Sequence, residues 1–264
     1  MFRSFMYRAG RHLYARARRD LPNKPETNGE YWLLSQVMDH LEGNALFMDV
    51  GANRGDWTEQ ALRYTADKSR TLSVKAFEPS SYTRALLSQR FQANTAVTVY
   101  ETALSSQAGT ATFFIGRDGA GTNSLNSVSG NDTETVPVTT LDQFLLTESI
   151  GHVDFIKIDT EGFDALVIGG ALASMAAGKI DLIQFEYNWR WLLNSQSLKN
   201  VFQLIDGLPY KLGKLAGEEI LLFEEWHFEM DRFFENNYVL IRRGGPFDGL
   251  GVRAEYDASN VLCY

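Results

Sequence analysis

The chain has 264 residues, of which 44% are hydrophobic and 22% charged, and its formal net charge is −8. These proportions are ordinary for a globular protein, and the length suits one domain with a sizeable core. A single cysteine, Cys263, excludes a disulfide within the chain, so a reducing compartment such as the cytoplasm is expected. The sequence has neither a CxxC nor an HxxxH pattern, so a structural zinc site is not expected.

The first 19 residues differ from the rest of the chain in charge. They hold six arginines and no acidic residue, which leaves a charge of −14 on the remainder. At about 100° per residue, six apolar side chains fall on one side of a helix: Phe2, Phe5, Met6, Ala9, Leu13 and Ala17. Only Arg16 intrudes on that side. The acidic remainder argues against nucleic acid as a partner.

The pattern of residues 1–20 therefore predicts a basic amphipathic helix, within an N-terminal helical extension that spans residues 1–40. We expect this helix to pack on its own domain or to mediate self-association. Two alternatives stay open, a peripheral helix on the anionic inner membrane surface and an arginine-rich transit peptide. No secretory signal is visible, and no apolar run approaches the roughly 18 residues of a membrane span.

Apolar runs alternate with helical patterns along the rest of the chain. Strands are predicted at 45–50, 71–78, 96–104, 152–159 and 179–187, and helices at 57–66, 81–93, 163–177 and 196–207. Two later strand-like stretches, 209–215 and 238–242, fit one edge of the sheet. This alternation predicts an α/β fold with a doubly wound, mostly parallel sheet. The domain is expected to span residues 41–245, followed by a tail at 246–264.

One polar segment interrupts this rhythm. Residues 117–134 are rich in Gly, Ser and Asn and carry no strand or helix pattern. Loops of this length in a compact domain are usually either disordered or functional. The segment is therefore predicted as a loop, either disordered or closing over a substrate as a lid.

The first predicted strand ends in an acidic residue and a glycine-containing turn, FMDVGANRGDWTEQAL (47–62). Ligands of doubly wound sheets bind beyond the carboxyl ends of the strands. Gly51 and Gly55 allow a tight turn and the close approach of a ligand to the amides. Asn53 stands where a dinucleotide fingerprint needs its middle glycine, so a pyrophosphate fits poorly. A ligand with an amino-acid end fits better, since Asp49 would accept from its ammonium group.

The second predicted strand also ends in an acidic residue. Glu78 follows Gly51 by 27 residues, where a carboxylate is placed to accept both hydroxyls of a ribose. A ligand that joins an amino acid to a ribose and an adenine is S-adenosylmethionine. The predicted cofactor is therefore S-adenosylmethionine, with S-adenosylhomocysteine as its product.

Further motifs extend this pattern along the chain. FMDVGANRGDWT, AFEPS, ETALSS, TVPVTTLDQFL, FIKIDTEGFDALVIGGA and IDLIQFEYN occur in this order over residues 45–190, and ENNYVLIRR reaches residue 242. In these motifs the chain resembles the FkbM family of S-adenosylmethionine-dependent methyltransferases. The resemblance implies a Rossmann-like class I fold, with a seven-stranded sheet whose last strand is antiparallel. It also implies methyl transfer to a hydroxyl oxygen, often on a sugar or a natural product.

The resemblance also implies roles for single residues. The methionine end of the cofactor would contact Asp49, Gly51, Ala52, Asn53 and Gly55, the ribose Glu78, and the adenine Thr102. Asp159 and Glu161, after the fourth strand, would face the transferred methyl, with Glu186 of the fifth strand beside them.

The expected chemistry explains why acidic residues are needed there. An alcohol attacks a methyl group only if its proton leaves as the bond forms, so a base or a metal must assist. Clustered carboxylates raise one another's pKa, which favours a base among Asp159, Glu161 and Glu186. The alternatives are a divalent cation held by Asp159 and Glu186, and purely structural acids. Lys157 is expected to form a salt bridge with a strand-end acid.

Three residues after the fifth strand are predicted to bind substrate. Tyr187 and Trp189 would stack on a sugar face, and Arg190 would orient an anionic group, although core packing is expected for at least one aromatic. The predicted function is O-methylation of a saccharide, glycolipid or secondary metabolite. The alternatives are a non-catalytic module that keeps the cofactor pocket and a nicotinamide-dependent oxidoreductase.

Overall fold

The computed structural model describes residues 2–66, 70–115 and 132–264. The helices are α1 (Phe2–Ala17), α2 (Glu30–His40), α3 (Asp56–Ala66), α4 (Ser81–Phe91), α5 (Leu141–Thr147), α6 (Asp164–Gly169), α7 (Leu172–Ala176) and α8 (Leu198–Leu204). Strands β1 to β7 are Asn44–Val50, Thr71–Phe77, Val97–Tyr100, Ala103–Leu104, Gly109–Ile115, Asp132–Thr139 and Val153–Ile158. Strands β8 to β14 are Ile180–Tyr187, Tyr210–Leu215, Ile220–Phe223, Asn236–Arg242, Val252–Arg253, Glu255–Tyr256 and Leu262–Cys263.

Within the described residues the central sheet has nine strands, in the order β12-β10-β9-β11-β8-β7-β1-β2-β3. The pairs β3–β2, β2–β1, β1–β7 and β7–β8 are parallel. Strand β11 is antiparallel to both β8 and β9. Seven neighbouring strands, in the order β3-β2-β1-β7-β8-β11-β9, therefore form the predicted doubly wound sheet. Its antiparallel last strand is β11. Strands β10 and β12 extend its edge beyond the predicted seven.

The predicted third strand, 96–104, is wrong in its second half. β3 ends at Tyr100, and β4 belongs to a separate sheet in the order β4-β6-β5. The predicted loop 117–134 lies outside the described residues except for 132–134, which begin β6. This second sheet was missed because the polar β6 lacks the apolar pattern of a buried strand.

Two predicted helices are shorter or divided in the structure. The stretch 163–177 forms α6 and α7, which Gly170 separates. A side chain at Gly170 would overlap the carbonyl oxygen of Ser105, so the two segments meet closely there. The stretch 196–207 contains only α8, and a 3-10 helix, Trp189–Asn194, precedes it.

The core lies on both faces of the central sheet, as the apolar strands predict. Neighbouring residues of β7 point to opposite faces, so Phe155 joins the cluster under α2 and α3, and Ile156 the cluster under α5 to α8. On the first face the Phe155 ring makes edge contacts with Phe47 and Trp57, at centroid distances of 5.4 Å each. The sheet edge that carries the site is therefore anchored from both sides.

The chain ends pack differently from the predicted extension and tail. Leu33, Leu34 and Val37 of α2 are fully buried in the core, so residues 30–40 are part of the domain. In the tail, β12 pairs with β10 and Phe247 is buried. In the part of the chain that the structure describes, no helix combines the length and apolar character needed to cross a bilayer.

Candidate functional site

A cavity opens at the carboxyl ends of β1, β2 and β7, where the sequence predicted a ligand. Its empty space, including the open solvent at its mouth, is about 740 Å³. Six predicted site residues line it: Gly51, Asn53, Glu78, Thr102, Asp159 and Glu161. The other seven predicted site residues do not line it: Asp49, Ala52, Gly55, Glu186, Tyr187, Trp189 and Arg190.

The glycines of the first turn serve packing between protein segments. Gly51 has φ +83°, and a side chain there would overlap the carbonyl oxygen of Asp159. Gly55 also has φ +83°, and a side chain there would overlap the Phe91 ring of α4. Because only glycine adopts these angles without strain, the turn can hold strand end and helix close together. The turn was predicted correctly, but the space beside each glycine is filled by the protein.

The amides of this turn are also used within the protein. The amides of Gly51 and Ala52 donate to the carbonyl oxygen of Phe77, at 3.0 and 2.9 Å. The amide of Asn53, which has φ +47°, donates to Glu78 Oε2 at 2.9 Å. These three amides therefore already have hydrogen-bond partners within the protein. The turn positions the Glu78 carboxylate.

The carboxylate of Glu78 is fixed on the cavity wall. Its second oxygen, Oε1, accepts from the amide of Ser80 at 2.9 Å, so both oxygens are fixed by backbone donors. Each oxygen keeps a further lone pair for a ligand donor. Burial raises the pKa of Glu78 to about 7, although the two backbone hydrogen bonds act in the opposite direction.

Asp49 lies in a buried polar group on one face of the sheet. Its Oδ2 accepts from the Thr58 hydroxyl at 2.6 Å, and its Oδ1 is buried with no hydrogen-bond partner among the described residues. Burial raises the pKa of Asp49 to about 6, and the nearby Lys157 ammonium opposes that rise. A buried carboxylate oxygen without a donor is costly, so this atom marks a place where a ligand donor would be stabilising.

Lys157 makes the predicted salt bridge to a strand-end acid. Its Nζ lies 2.8 Å from Asp159 Oδ2 and 3.6 Å from Glu30 Oε2 of α2. Burial acts to lower the pKa of Lys157, but the Asp159, Glu30 and Asp49 carboxylates hold it well above its usual value. The lysine therefore stays charged and fixes the Asp159 side chain at the cavity. The sequence did not indicate that α2 would supply Glu30.

The loop after β7 is held by the segment that follows β8. Glu161 has φ +55°, and its Oε2 lies 2.8 Å from Arg190 Nη1. The Asn194 amide group donates to the Gly162 carbonyl oxygen at 2.8 Å. Burial, followed by the neighbouring Asp159 charge, raises the pKa of Glu161 to about 7. Arg190 thus orients a cavity carboxylate of the protein itself, a role that the sequence analysis did not foresee.

Glu186 lies next to this loop but is enclosed by protein donors. Its Oε1 accepts from the Asn23 amide group at 2.8 Å, and its Oε2 from the Asn188 amide group at 2.7 Å. Burial raises its pKa well above the usual value, and Asp159 and Glu161 raise it further. The predicted grouping of the three acids is therefore present, with Glu186 behind the other two.

The aromatic residues after β8 divide between core and surface. Tyr187 is buried, stacks on Phe233 and donates its hydroxyl to Asp231 at 2.9 Å, so it packs in the core and does not line the cavity. Trp191 is fully buried in the same core. Trp189 is 46% exposed and lies outside the cavity, with the Arg190 guanidinium 5.3 Å from its ring centre.

Sequence reasoning missed the apolar part of the cavity wall. Phe77, Leu104, Phe113 and Phe163 line it, and Phe113 comes from the second sheet that was not predicted. Thr160 also lines the cavity, and its hydroxyl is buried without a hydrogen-bond partner among the described residues. Phe77 and Phe163 lie within the quoted motifs AFEPS and FIKIDTEGFDALVIGGA, so the available signal was their position beside the strand-end acids.

The geometry gives little support to a divalent cation held by Asp159 and Glu186. Over the described ranges, the carboxylates of Asp159 and Glu186 do not belong to a compact group of three or more metal-ligand side chains. Among the residues that the structure describes, such a group occurs only at the opposite edge, with His152, Asp154 and Asp181. There the Arg242 guanidinium donates twice to Asp181, at 2.8 and 2.6 Å, and so already supplies positive charge.

The profile of the methyltransferase FkbM domain matches residues 49–236. The solved methyltransferase FkbM from Methylobacillus flagellatus KT is similar over 76% of this chain and 44% of that chain, with 16% identity and a TM-score of 0.46. This chain thus spans less than half of that relative. None of the curated proteins compared with the chain matches it.

Two other solved structures are similar at lower identity. Precorrin-6y C5,15-methyltransferase from Geobacter metallireducens GS-15 has 10% identity and a TM-score of 0.42, covering 81% of this chain and 88% of that chain. A putative rRNA-methylase from Clostridium thermocellum has 8% identity and a TM-score of 0.48, covering 85% and 99%. The domain match covers well over half of the sequence and includes the whole cavity edge of the sheet. The chain therefore belongs to the FkbM family of S-adenosylmethionine-dependent methyltransferases.

Proposed function

We propose that the protein transfers a methyl group from S-adenosylmethionine to a hydroxyl of a saccharide, glycolipid or secondary metabolite. The observation that carries this proposal is the pairing of two kinds of carboxylate at one cavity. Glu78, held by backbone amides, lies on one side, and Asp159 and Glu161 lie on the other. The first suits a ribose, and the second pair suits a reacting hydroxyl.

The residues present fit the cofactor. Glu78 keeps free lone pairs for ribose hydroxyls, and Thr102 lies among apolar side chains that suit a flat ring. The unpartnered Asp49 Oδ1 lacks a donor, which an ammonium group would supply. When bound, S-adenosylmethionine supplies a methyl group on a positively charged sulfur. The raised pKa values of the surrounding carboxylates reflect burial without that positive charge.

Glu161 is our candidate for the general base. It lines the cavity, Arg190 fixes its orientation, and its pKa is about 7, close to the working range in which a base is most effective. The proton of the acceptor hydroxyl would pass to its carboxylate as the new carbon–oxygen bond forms. Asp159, held by Lys157, would orient the hydroxyl, and Glu186, held by two amide groups, lies behind both.

A base is favoured over a divalent cation by the contacts of the same acids. The Lys157 ammonium already lies 2.8 Å from Asp159, and two amide groups donate to Glu186. A cation between these acids would have to displace those donors. Methyl transfer is therefore expected to persist in the presence of a chelator, and its loss on chelation with recovery on adding Mg²⁺ would support the metal alternative.

The test is turnover with a panel of sugars, glycolipids and other hydroxylated acceptors, measured as formation of S-adenosylhomocysteine. With any accepted substrate, Glu161→Gln should lower kcat by about 10²–10⁴-fold, the usual contribution of a general base. The rate should rise with pH through about 7 in the wild type, because the base must be ionised, and this rise should vanish in Glu161→Gln. Asp159→Asn and Glu186→Gln are expected to have smaller effects on kcat.

Glu42→Gln is the matched control, since Glu42 is exposed and lies outside the cavity. Binding of S-adenosylhomocysteine should stay largely unchanged in all these variants. Unchanged turnover in the three cavity variants would refute the roles given to the acids. Cofactor binding without turnover on any acceptor would support the non-catalytic module.

A further inference from the structure

Helix α1 is attached to the domain but does not pack into it. None of its residues from Phe2 to Ala17 is buried. Its predicted apolar side is open to solvent, with exposed fractions of 73% for Phe2, 65% for Phe5, 57% for Met6 and 66% for Leu13. Packing on its own domain, which the sequence analysis favoured, therefore does not account for this side of the helix.

The attachment lies at the C-terminal end of α1. The Tyr14 hydroxyl donates to Glu229, and the buried Arg18 contacts both Glu229 and Asp20. Lys214, almost fully buried in β9, donates to the Arg18 carbonyl oxygen at 2.8 Å. These buried polar contacts fix the C-terminal end of the helix to the domain.

A second side of α1 faces the domain across an open groove. The helix residues that line this groove, opposite Trp189 and Phe234, are Met6, Tyr7, Gly10, Arg11 and Tyr14. Phe2, Phe5 and Leu13 do not line it. Most of the exposed apolar side is thus distinct from the groove side, and Met6 is shared by both.

The charge of the helix selects its partner. Arg3, Arg8 and Arg16 are exposed and, within the part of the chain that the structure describes, have no acidic partner. The helix has no acidic residue of its own. Two such helices brought together would repel, whereas an anionic lipid surface attracts arginines and accepts apolar side chains.

We propose that α1 is a docking helix for an anionic lipid bilayer, with Phe2, Phe5 and Leu13 inserting among the lipids. The domain side of the groove beneath α1 is formed by Trp189, which follows β8, and by Phe233 and Phe234, which precede β11. These segments lie at the same sheet edge as the cofactor cavity. Docking therefore brings the cavity edge close to the lipid surface. This inference concerns binding alone and does not depend on the proposed acceptor.

The test is co-sedimentation of the full chain with vesicles. Binding is expected to phosphatidylglycerol mixed with phosphatidylcholine, much weaker binding to phosphatidylcholine alone, and release as salt is raised. Phe2→Gln, Phe5→Gln and Leu13→Gln together should weaken binding by roughly tenfold or more, because three apolar side chains no longer insert. Arg3→Gln, Arg8→Gln and Arg16→Gln together should also weaken it by roughly tenfold or more. Glutamine keeps the helix propensity high, so loss of the helix is not the expected cause.

Matched controls are available on the rest of the surface. Tyr82→Gln, Leu146→Gln and Val261→Gln remove exposed apolar side chains elsewhere, and Arg63→Gln, Arg243→Gln and Arg253→Gln remove exposed arginines. These two control sets should bind vesicles like the wild type. Equal losses in the control and α1 sets would overturn the proposal.

Self-association is the competing outcome. Sedimentation velocity without vesicles would then show a dimer that the three apolar α1 substitutions disperse, while vesicles would sediment no protein. That result would overturn the lipid proposal and assign the helix to a second copy of the chain. A monomer that binds anionic vesicles and loses binding in both α1 sets would support it.

Discussion

Replacing Glu78 with Gln tests the cofactor site most directly. The substitution keeps the shape of the side chain but removes its charge, and it leaves one oxygen instead of two. The amides of Asn53 and Ser80 now use both oxygens, so one of these donors would face the new NH₂ group. Hydrogen bonds to a charged group contribute roughly 1.5–3 kcal/mol each, so losing one from the ribose should weaken S-adenosylhomocysteine binding by about 10–150-fold.

The pH dependence gives a second, independent readout. The pKa of Glu78 is about 7 because of burial, so near pH 6 only about a tenth of the ligand-free protein carries the ionised carboxylate. Ribose hydroxyls donate best to the ionised form. The Kd of the wild type should therefore rise by up to about tenfold between pH 8 and pH 6. This dependence should be smaller in Glu78→Gln.

Isothermal titration calorimetry with S-adenosylhomocysteine at both pH values measures this, with thermal melts to show that the variant is folded. Glu42→Gln, on the exposed surface, is the control and should match the wild type. A folded Glu78→Gln protein that binds as tightly as the wild type at both pH values would refute the ribose assignment.

Three further predictions concern stability. Gly51→Ala should lower the free energy of unfolding in urea by more than about 2 kcal/mol, because it adds a clash with the Asp159 carbonyl oxygen to the strain at φ +83°. Gly43→Ala is the control and should cost less, since Gly43 has φ +73° and open space around it; equal losses of stability in the two variants would count against the close approach of Gly51 to Asp159. Lys157→Met should lower the free energy of unfolding by about 3–5 kcal/mol, because it leaves buried carboxylates unpaired. The double variant Lys157→Met with Glu30→Gln should recover part of that stability, and no recovery would contradict the pairing of Lys157 with Glu30. The free energy of unfolding of the ligand-free protein should fall between about pH 5 and about pH 7.5, by up to about 3 kcal/mol from Glu78 alone. The reason is that a raised carboxylate pKa means that the folded state holds its proton more tightly than the unfolded state. A rise in the free energy of unfolding over that window would refute the assigned pKa shifts.

The sequence by itself determined the frame of the site. Short apolar runs that end in Asp49, Glu78 and Asp159 are signals of local composition, and parallel strands necessarily bring their carboxyl ends to one edge. The doubly wound parallel sheet therefore followed from the pattern, and the family, with its seven strands and antiparallel last strand, followed from the motifs. The Lys157 salt bridge followed as well, because a lysine in a buried strand requires a partner.

The tertiary structure alone decided which atoms are free to act. Contacts between distant segments carry no local signal, so the sequence could not show that Asn23 and Asn188 enclose Glu186 or that Arg190 pairs with Glu161. It could not show that Tyr187 turns into the core while Glu78 faces the cavity, since both end a buried strand. The exposure of α1 was undecided for the same reason. An amphipathic pattern requires that one side be covered, and only the packed domain shows that its own surface does not cover it.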